Sequence, residues 1–226
     1  MLARSFTGIG VLFLCAAALL TTGCGGGDKV KLRILNAIPD QSKISVLLDG
    51  TTVFSSVSYG VANDYTSTDG GSRHVQVEPA GSTNVMIDQN ITLNGGTNST
   101  FIAADFSSTS TGVLLADDTT APSSGNIKLR IVNASPNLGA VDVFIVPPGT
   151  SLNSVSPTIS SLGFRNASDY QSLTAGSYEI FFTPHGSTFA FLDTGAISFN
   201  AGQNRTVVVL NNLSGGFQAT TLSDLN

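Results

Sequence analysis

Four polar residue types that recur in both halves of the chain are the strongest candidates for chemistry. The set comprises an arginine, an asparagine, an aspartate and a tyrosine in each half: Arg33, Asn36, Asp64 and Tyr65, then Arg130, Asn133, Asp169 and Tyr170. One interpretation is a small polar groove, repeated in each half, that binds a sugar or a peptide. The other is structural: asparagine caps a turn, arginine pairs with aspartate across neighbouring strands, as Arg130 would with Asp169, and tyrosine lies over the edge of the fold. We favour the structural interpretation, because both copies must fold in the same way and residues needed for folding would therefore recur in each.

The other titratable residues give little support for catalysis or for a metal site. His74 and His185 do not occupy equivalent positions in the two halves, so both are expected at the surface. The sequence has no H-E-x-x-H, cysteine pair or G-x-S-x-G motif. Asp117 and Asp118 could donate oxygen ligands to calcium, but a calcium loop spaces its acidic groups by two, so an exposed acidic strand end is favoured. We therefore expect no enzyme, no metal and no cofactor.

The repeat itself defines the elements that position these residues. The segment KLRILNAIPD at residues 31–40 returns as KLRIVNASPN at residues 128–137. This spacing is the length of a small all-β domain and is longer than a solenoid repeat. Turns recur most faithfully, as in Pro79–Thr83 and Pro184–Thr188, because glycine and asparagine supply the positive φ that tight turns need. The repeat therefore predicts two self-contained units.

Between the turns, the apolar pattern is that of strands. Leu32 and Ile34 alternate with polar residues, whereas Val207–Leu210 is apolar throughout, which suits a strand covered on both faces. We expect almost no helix and about seven strands per unit. Those of the first unit are predicted at 30–37, 43–48, 51–57, 73–79, 84–93, 98–106 and 112–116. The predicted fold is all-β, with two tandem β-sandwich domains of immunoglobulin-like or transthyretin-like topology, and the choice between these strand orders stays open.

Composition along the chain gives the predicted organisation. Residues 1–23 are assigned to a lipoprotein signal peptide, 24–28 to a flexible tether, 29–118 to the first sandwich, 119–126 to a linker and 127–226 to the second sandwich. The linker contains Pro, Gly and Ser and is short. The two domains are therefore expected to lie close together.

The N-terminal segment predicts export and lipidation. A positive start, Met1–Arg4, precedes the apolar run Phe6–Leu20, which is too short for a membrane span. The run ends in TTGC, which resembles the bacterial lipobox, so Cys24 would be acylated and become the mature N-terminus. Cys15 would leave with the signal peptide, and lipidation would consume the one thiol left in an exported protein. The alternative is an ordinary signal peptide cleaved elsewhere.

Composition also argues against some partners. The formal net charge is −5 and only 11% of the residues are charged, without a basic cluster that could follow a phosphate backbone, so nucleic acid is not an expected partner. The chain has no Trp and only 4 Tyr, and its 13 Phe are expected in the core. Stacking of sugars on exposed aromatic rings is therefore weakly supported.

The opening motif of both units resembles a known family. Arg33–Asp40 and Arg130–Asn137 share the form R-[IV]-x-N-A-[SI]-P-[DN], and Ser45–Val46 and Asp142–Val143 follow in the next strand. This pattern is similar to the tandem β domains of the envelope family known as domain of unknown function 4397. The first copy departs from it at Ile38 and Ser45, where the family usually shows Ser and Asp. The resemblance implies an exported pair of β-sandwiches, often lipid-anchored, with no assigned reaction.

Together these observations predict a lipid-anchored, non-catalytic protein of the bacterial cell envelope with a binding, structural or assembly role. Its expected partners are the membrane, through the N-terminal lipid, and an envelope protein or glycan. The outer membrane is expected rather than the inner one, because Gly25 stands where an aspartate tends to retain lipoproteins in the inner membrane. The alternative is a carbohydrate-binding module or an envelope hydrolase acting on cell-wall or surface glycan, the latter using Asp64 with a neighbouring carboxylate.

Overall fold

The computed structural model describes residues 28–225, which fold almost entirely into strands. They form sixteen strands and a single 3₁₀ turn, Leu152–Ser154. The predicted all-β fold is therefore confirmed. Within this range no helix is long and apolar enough to cross a bilayer. The predicted signal peptide, Cys24 and the glycines of the tether lie outside the described residues.

The strands divide into two units. In the first unit they are β1 (Lys29–Ala37), β2 (Lys43–Leu48), β3 (Thr51–Ser58), β4 (Thr66–Asp69), β5 (Gly71–Pro79), β6 (Ile87–Leu93), β7 (Asn98–Ala104) and β8 (Thr111–Asp117). In the second unit they are β9 (Asn126–Asn133), β10 (Val141–Val146), β11 (Ile159–Leu162), β12 (Gln171–Thr174), β13 (Gly176–Pro184), β14 (Leu192–Phe199), β15 (Asn204–Asn211) and β16 (Phe217–Leu225).

Each unit is a sandwich of two four-stranded sheets, and both units use the same strand order. The first unit contains the sheets β4–β1–β7–β8 and β3–β2–β5–β6, and the second contains β12–β9–β15–β16 and β11–β10–β13–β14. The opening strand of each unit runs parallel to the seventh, β1 to β7 and β9 to β15. In an immunoglobulin sandwich the first strand pairs with the second. Here the first strand pairs with the fourth and seventh, so the order is the transthyretin-like alternative.

The structure adds one strand per unit to the seven that the apolar pattern predicts. In the first unit the additional strand is β4, whose sequence TSTD has no apolar alternation. It lies at a sheet edge and pairs with β1, Lys29 opposite Asp69 and Leu32 opposite Thr66. An edge strand with exposed polar side chains gives no hydrophobic signal, which is why the pattern misses it.

Three separate apolar clusters show that the molecule is a stack of four sheets. Within the first unit, β1 contributes Leu32 and Ile34 to the core between its two sheets, and an equivalent core lies within the second unit. A third cluster forms where the two units touch, and the opposite face of β1 contributes Leu35 to it. Val208 and Leu210 of β15 join this third cluster from the second unit. The inner strands are therefore covered on both faces, as their uninterrupted apolar runs predict.

The two units point in the same direction, so the stack has two distinct ends. Ala37 at the end of β1 pairs with Ala104 at the end of β7, which places the β7–β8 turn far from Asp28. Near that end the Tyr59 hydroxyl donates to the carbonyl of Asn211, the last residue of β15, at 2.8 Å. We call this end, with the β5–β6, β7–β8, β13–β14 and β15–β16 turns, the turn end, and the opposite one, where β1 and β9 begin, the base.

The expectation that the phenylalanines lie in the core is wrong for two of them. Phe189 in the β13–β14 turn is 79% exposed, and Phe106 in the β7–β8 turn is 37% exposed. The turn around Phe106 otherwise holds only small or polar residues, whereas the turn of Phe189 also contains Phe191, which packs against the core of the second unit.

Candidate functional site

The repeated arginines meet at the junction of the two units rather than in separate grooves. Arg33 Nη2 donates to the carboxylate of Asp224, and Arg130 Nη2 donates to Asp117 Oδ1 at 2.5 Å. The Nη1 atoms donate to the carbonyl that precedes each aspartate, at 2.7 and 2.8 Å. Each arginine lies in the opening strand of its own unit and reaches the last strand of the other unit. The two ion pairs therefore cross the junction reciprocally.

A threonine in each unit links the arginine of that unit to the aspartate of the same unit. Arg33 Nε donates to Thr100 Oγ1 at 2.8 Å, and this hydroxyl donates to Asp117 Oδ2 at 2.6 Å. In the second unit Arg130 Nε donates to Thr206 Oγ1 at 3.0 Å, and the Thr206 hydroxyl donates to Asp224 Oδ2 at 2.7 Å. Each threonine hydroxyl thus donates to the carboxylate oxygen that does not accept the short bond from a guanidinium group.

The two repeated tyrosines complete the same arrangement. The Tyr65 hydroxyl donates to Asp117 Oδ2 at 2.6 Å, and its ring centroid lies 4.6 Å from the Arg33 guanidinium. The Tyr170 hydroxyl donates to Asp224 Oδ2 at 2.9 Å, and its ring lies 4.7 Å from the Arg130 guanidinium. These distances are those of cation–π contacts.

We call these eight side chains the junction cluster: Arg33, Tyr65, Thr100, Asp117, Arg130, Tyr170, Thr206 and Asp224. The side chains of its arginines are 4% exposed and those of its aspartates are 0% exposed. The cluster holds two positive and two negative charges, and Arg33 Nη2 also lies 3.9 Å from Asp117 Oδ2. Buried charges are stable only when paired and hydrogen-bonded, and here each has such partners.

The tyrosines of the cluster keep their protons at neutral pH. Burial, reinforced by the Asp117 carboxylate, raises the pKa of the Tyr65 phenol far above its usual value, although the Arg33 charge opposes the shift. Burial likewise raises the pKa of Tyr170 against the opposing charge of Arg130. A protonated phenol is the donor that each carboxylate requires. The cluster therefore joins the two units through buried ion pairs and hydrogen bonds.

The repeated asparagines lie elsewhere, at the ends of β1 and β9, and their side chains bond to the turns that follow. Asn36 Nδ2 donates to the carbonyls of Gln41 and Val57, at 3.0 and 3.2 Å, and Asn36 Oδ1 accepts from the Ile38 amide. Asn133 makes the equivalent set of bonds in the second unit. Both side chains are 0% exposed. Each asparagine thus closes its turn through its side chain, in the structural role that the sequence favours.

The repeated aspartates Asp64 and Asp169 are exposed and take no part in the junction cluster. The expected pairing of Arg130 with Asp169 is wrong, because Arg130 binds Asp117 instead. The physical reason is that Arg130 faces away from the core of its own unit, towards the other unit. A partner for it had to be sought in the other repeat.

Sequence reasoning missed the aspartates and threonines of the cluster. Asp117 was expected at an exposed acidic strand end or in a calcium loop, but the residue is 7% exposed and paired with Arg130. Asp118 instead accepts from Lys128 Nζ at 2.6 Å and from the Thr120 amide at 2.8 Å. A signal was present: near its end, the last strand of each unit carries a leucine, a small residue and an aspartate, LAD in β8 and LSD in β16.

The histidines lie at the surface, as predicted. His74 Nε2 lies 2.6 Å from Asp88 Oδ1, and His185 Nδ1 lies 2.8 Å from Asp142 Oδ1. Across residues 28–225, no three histidine, cysteine, aspartate or glutamate side chains come together as metal ligands.

Two clefts flank the junction, one at the loop before each repeated tyrosine. The first cleft has a volume of about 250 Å³ and lies between residues 60–65 and residues 220–223 of β16, with Arg33 and Asp64 in its wall. The second cleft has a volume of about 600 Å³ and lies between residues 158–169, Gln171 and Leu115 of β8. Of the eight repeated polar residues, Arg33, Asp64 and Tyr65 line the first cleft and Asp169 lines the second.

Comparison with known proteins gives one family and several distant structures. The family described as "Domain of unknown function (DUF4397)" matches residues 30–144 and 151–226. No curated protein matches the chain. A family CBM26 module from Eubacterium rectale Amy13K, solved with maltoheptaose, is 10% identical over 86% of this chain and 96% of that chain, with a TM-score of 0.26. A protein described as a cell adhesion protein from Bacteroides fragilis is 8% identical over 87% and 97%, with a TM-score of 0.23. At these TM-scores neither likeness carries an argument.

Proposed function

The chain belongs to the family of the domain of unknown function DUF4397, and on that premise we propose that it is a lipid-anchored envelope protein that binds a partner at its turn end and catalyses no reaction. The proposal has three parts, the binding surface, the anchor and the absence of catalysis. A different feature of the molecule supports each of them.

The distribution of exposed apolar side chains carries the binding part of the proposal. Val85, Phe106, Phe189 and Leu213 are 39%, 37%, 79% and 61% exposed. They lie one each in the β5–β6, β7–β8, β13–β14 and β15–β16 turns, and all four turns are at the turn end. Apolar side chains exposed together at one part of a surface are typical of contact sites.

The position of the first described residue supports the anchor. Asp28 lies at the base, where its carbonyl accepts from the Gly70 amide at 3.0 Å. Only Gly25, Gly26 and Gly27 separate it from Cys24. An acyl chain on Cys24 would hold the base against the membrane, and strands of about nine residues at about 3.3 Å per residue would then project the turn end about 30 Å away from it.

The junction cluster supports the absence of catalysis. Of the polar residues that the repeat retains, the arginines and tyrosines are used in joining the units, and the asparagines close turns. Arg33 and Arg130 are bound by carboxylates, and Tyr65 and Tyr170 keep their protons. What the clefts and turns offer is hydrogen-bonding and apolar surface, which serves binding.

Site-specific photo-crosslinking in intact cells, with the anchor retained, tests the binding surface. We expect a photoreactive residue at Phe189 or Leu213 to capture one discrete envelope component, identified by mass spectrometry. Thr51 is the control, because it is exposed and lies at the base, where it begins β3. Capture of the same component from Thr51, or none from either turn-end position, would contradict the proposal.

The anchor has its own test. Cys24→Ala should move the protein from the membrane fraction to the soluble fraction, and intact-mass analysis of the wild type should show the added acyl chains. An unmodified mass, or a Cys24→Ala variant that stays on the membrane, would refute lipid anchoring while leaving the crosslinking result to stand.

A further inference from the structure

The loop that borders the second cleft carries an arginine where the first unit has a glycine. The Gly60 amide donates to the carbonyl of Asn36 at 2.8 Å, and the Arg165 amide donates to the carbonyl of Asn133 at 2.7 Å. Asn36 and Asn133 are equivalent in the repeat, so Gly60 and Arg165 are equivalent as well. The downstream bonds agree, because Asn63 and Ser168 both donate to the opening strand.

The backbone at this position favours glycine in both units. Gly60 has a φ of +71° and Arg165 has a φ of +64°, both in the left-handed region. Glycine adopts this conformation without strain, and an arginine does not. The second unit therefore keeps a strained arginine at a position where the first unit shows that glycine is sufficient for the fold. Strain retained in this way points to a use for the side chain.

The Arg165 side chain is not used inside the protein. It is exposed and lies over the Phe164 ring at 5.1 Å, and within residues 28–225 its guanidinium makes neither an ion pair nor a hydrogen bond. The other arginines of that range each bind a carboxylate or a backbone carbonyl. The Asp169 carboxylate, in the wall of the same cleft, also makes no hydrogen bond with the described residues. The second cleft therefore presents one free cation and one free anion.

Hydroxyl and amide groups make up much of the remaining cleft wall, beside the apolar residues Leu115, Ile159, Leu162 and Ala167. Besides Arg165 and Asp169 it includes Thr158, Ser160, Ser161, Asn166 and Gln171. These groups both donate and accept, as the hydroxyls of a sugar do. The volume of about 600 Å³ lies within the range of small-ligand sites.

We propose that the second cleft binds an acidic saccharide, with the sugar carboxylate on Arg165 and its hydroxyls on Asp169 and the amide and hydroxyl side chains. The planar guanidinium fork matches a carboxylate in bidentate geometry. Asp169 disfavours a doubly charged phosphate, so a singly charged carboxylate on a hydroxyl-rich molecule fits the charges better. The site goes beyond the contact surface at the turn end, because it lies on the flank of the stack.

The first cleft supplies an internal control. A Cβ at Gly60 would lie 3.3 Å from Gln218 Nε2 and 3.7 Å from Leu210 Cδ1, so the second unit closes the space that a long side chain would need. Beside it Val61, which is 55% exposed, stands where the second cleft has Asn166. The first cleft is smaller and lacks a free cation, so it is not expected to bind the same ligand.

Calorimetric titration of the mature full-length protein in detergent tests the site. The probe is tetragalacturonate, and the matched control is its fully methyl-esterified form, which keeps the hydroxyls and removes the charge. We expect the wild type to bind the acid and to bind the ester at least tenfold more weakly. Arg165→Gly installs the residue of the first unit, so its melting temperature should be unchanged or higher while the affinity for the acid falls at least tenfold.

Each other outcome overturns the inference. Wild-type protein that binds neither probe, or that binds acid and ester equally, would refute an acidic saccharide as the ligand. Arg165→Gly protein that binds the acid as the wild type does would place the ligand elsewhere. Neither result affects crosslinking from Phe189 or Leu213, so failure of this site and failure of the turn-end proposal are distinguishable.

Discussion

At the junction the two units present matching side chains to each other, whereas away from the junction they have diverged. Arg33 and Arg130 each contact a threonine, a tyrosine and an aspartate with the same atoms. In the outer sheets, Ser45 of the first unit stands where the second has Asp142. A residue at the junction must satisfy two units at once, since any change leaves a buried charge in the partner unpaired. Positions away from the junction contact one unit only, and there the two sequences differ.

Asp142 shows what this divergence does to local structure. Its carboxylate accepts from the Ser161 amide, the Gly186 amide and His185 Nδ1, each at 2.8 Å. Burial raises the pKa of Asp142, but the bonds from His185, Gly186 and Ser161 outweigh it and hold the pKa below its usual value. Asp142 thereby fastens β10 to β11 and to the β13–β14 turn. Ser45 provides none of these acceptors in the first unit.

The largest loss of stability is expected when one of the two junction aspartates is removed. Asp117→Ala and Asp224→Ala each leave a buried guanidinium unpaired, so each should lower the free energy of unfolding by about 3–5 kcal/mol. Because the two ion pairs are equivalent, the two losses should agree closely. Urea unfolding followed by circular dichroism measures both. A loss under about 1 kcal/mol for either variant would show that the pair is not desolvated in solution.

The next effect concerns the tyrosine hydroxyls. Tyr65→Phe and Tyr170→Phe remove a donor to a buried carboxylate but keep the ring under the arginine, so each should cost about 1.5–3 kcal/mol. Tyr178→Phe is the matched control, since its hydroxyl donates to the Thr174 carbonyl at an exposed position. Equal losses at Tyr65 and Tyr178 would mean that the carboxylate bond adds nothing beyond an ordinary surface hydrogen bond.

A smaller effect at the other end of the junction should appear in alkali. Burial raises the pKa of Tyr59 to about 12, although its bond to the Asn211 carbonyl opposes the shift. The unfolded chain releases this proton near pH 10, before the folded protein does, so the stability that Tyr59 contributes is complete below pH 10 and is lost as the pH rises towards 12. Melting temperatures of wild type and Tyr59→Phe between pH 9 and 11.5 measure it. The variant should show the shallower decline, and parallel curves would contradict the assignment.

The same contrast explains what the sequence could and could not predict. Period-two patterns around Leu32 and Ile34 report burial within one unit, which is why the all-β fold and most strands follow from them. The uninterrupted apolar run Val207–Leu210 indicated burial on both faces of the strand, but it did not show that the first unit covers the second face. The recurring LAD and LSD motifs mark an aspartate in each last strand, but they do not identify Asp117 as the partner of Arg130, because nothing within one repeat encodes how two copies pack. Arg165 was missed because its significance depends on comparison with Gly60 and on the left-handed backbone that the two residues share, which the sequence does not show.

The smallest expected effect separates pairing between neighbouring strands from pairing across the units. Asp169→Ala and Asp64→Ala remove exposed carboxylates, so each should change the free energy of unfolding by less than about 0.5 kcal/mol. If Arg130 were held by Asp169, the first of these variants would instead lose as much stability as Asp117→Ala. Urea unfolding of the three variants under one set of conditions decides between the two arrangements. Asp169 also lines the second cleft. If Asp169→Ala leaves the stability unchanged, a change in its affinity for the saccharide can be assigned to the loss of this carboxylate and not to a loss of folded protein.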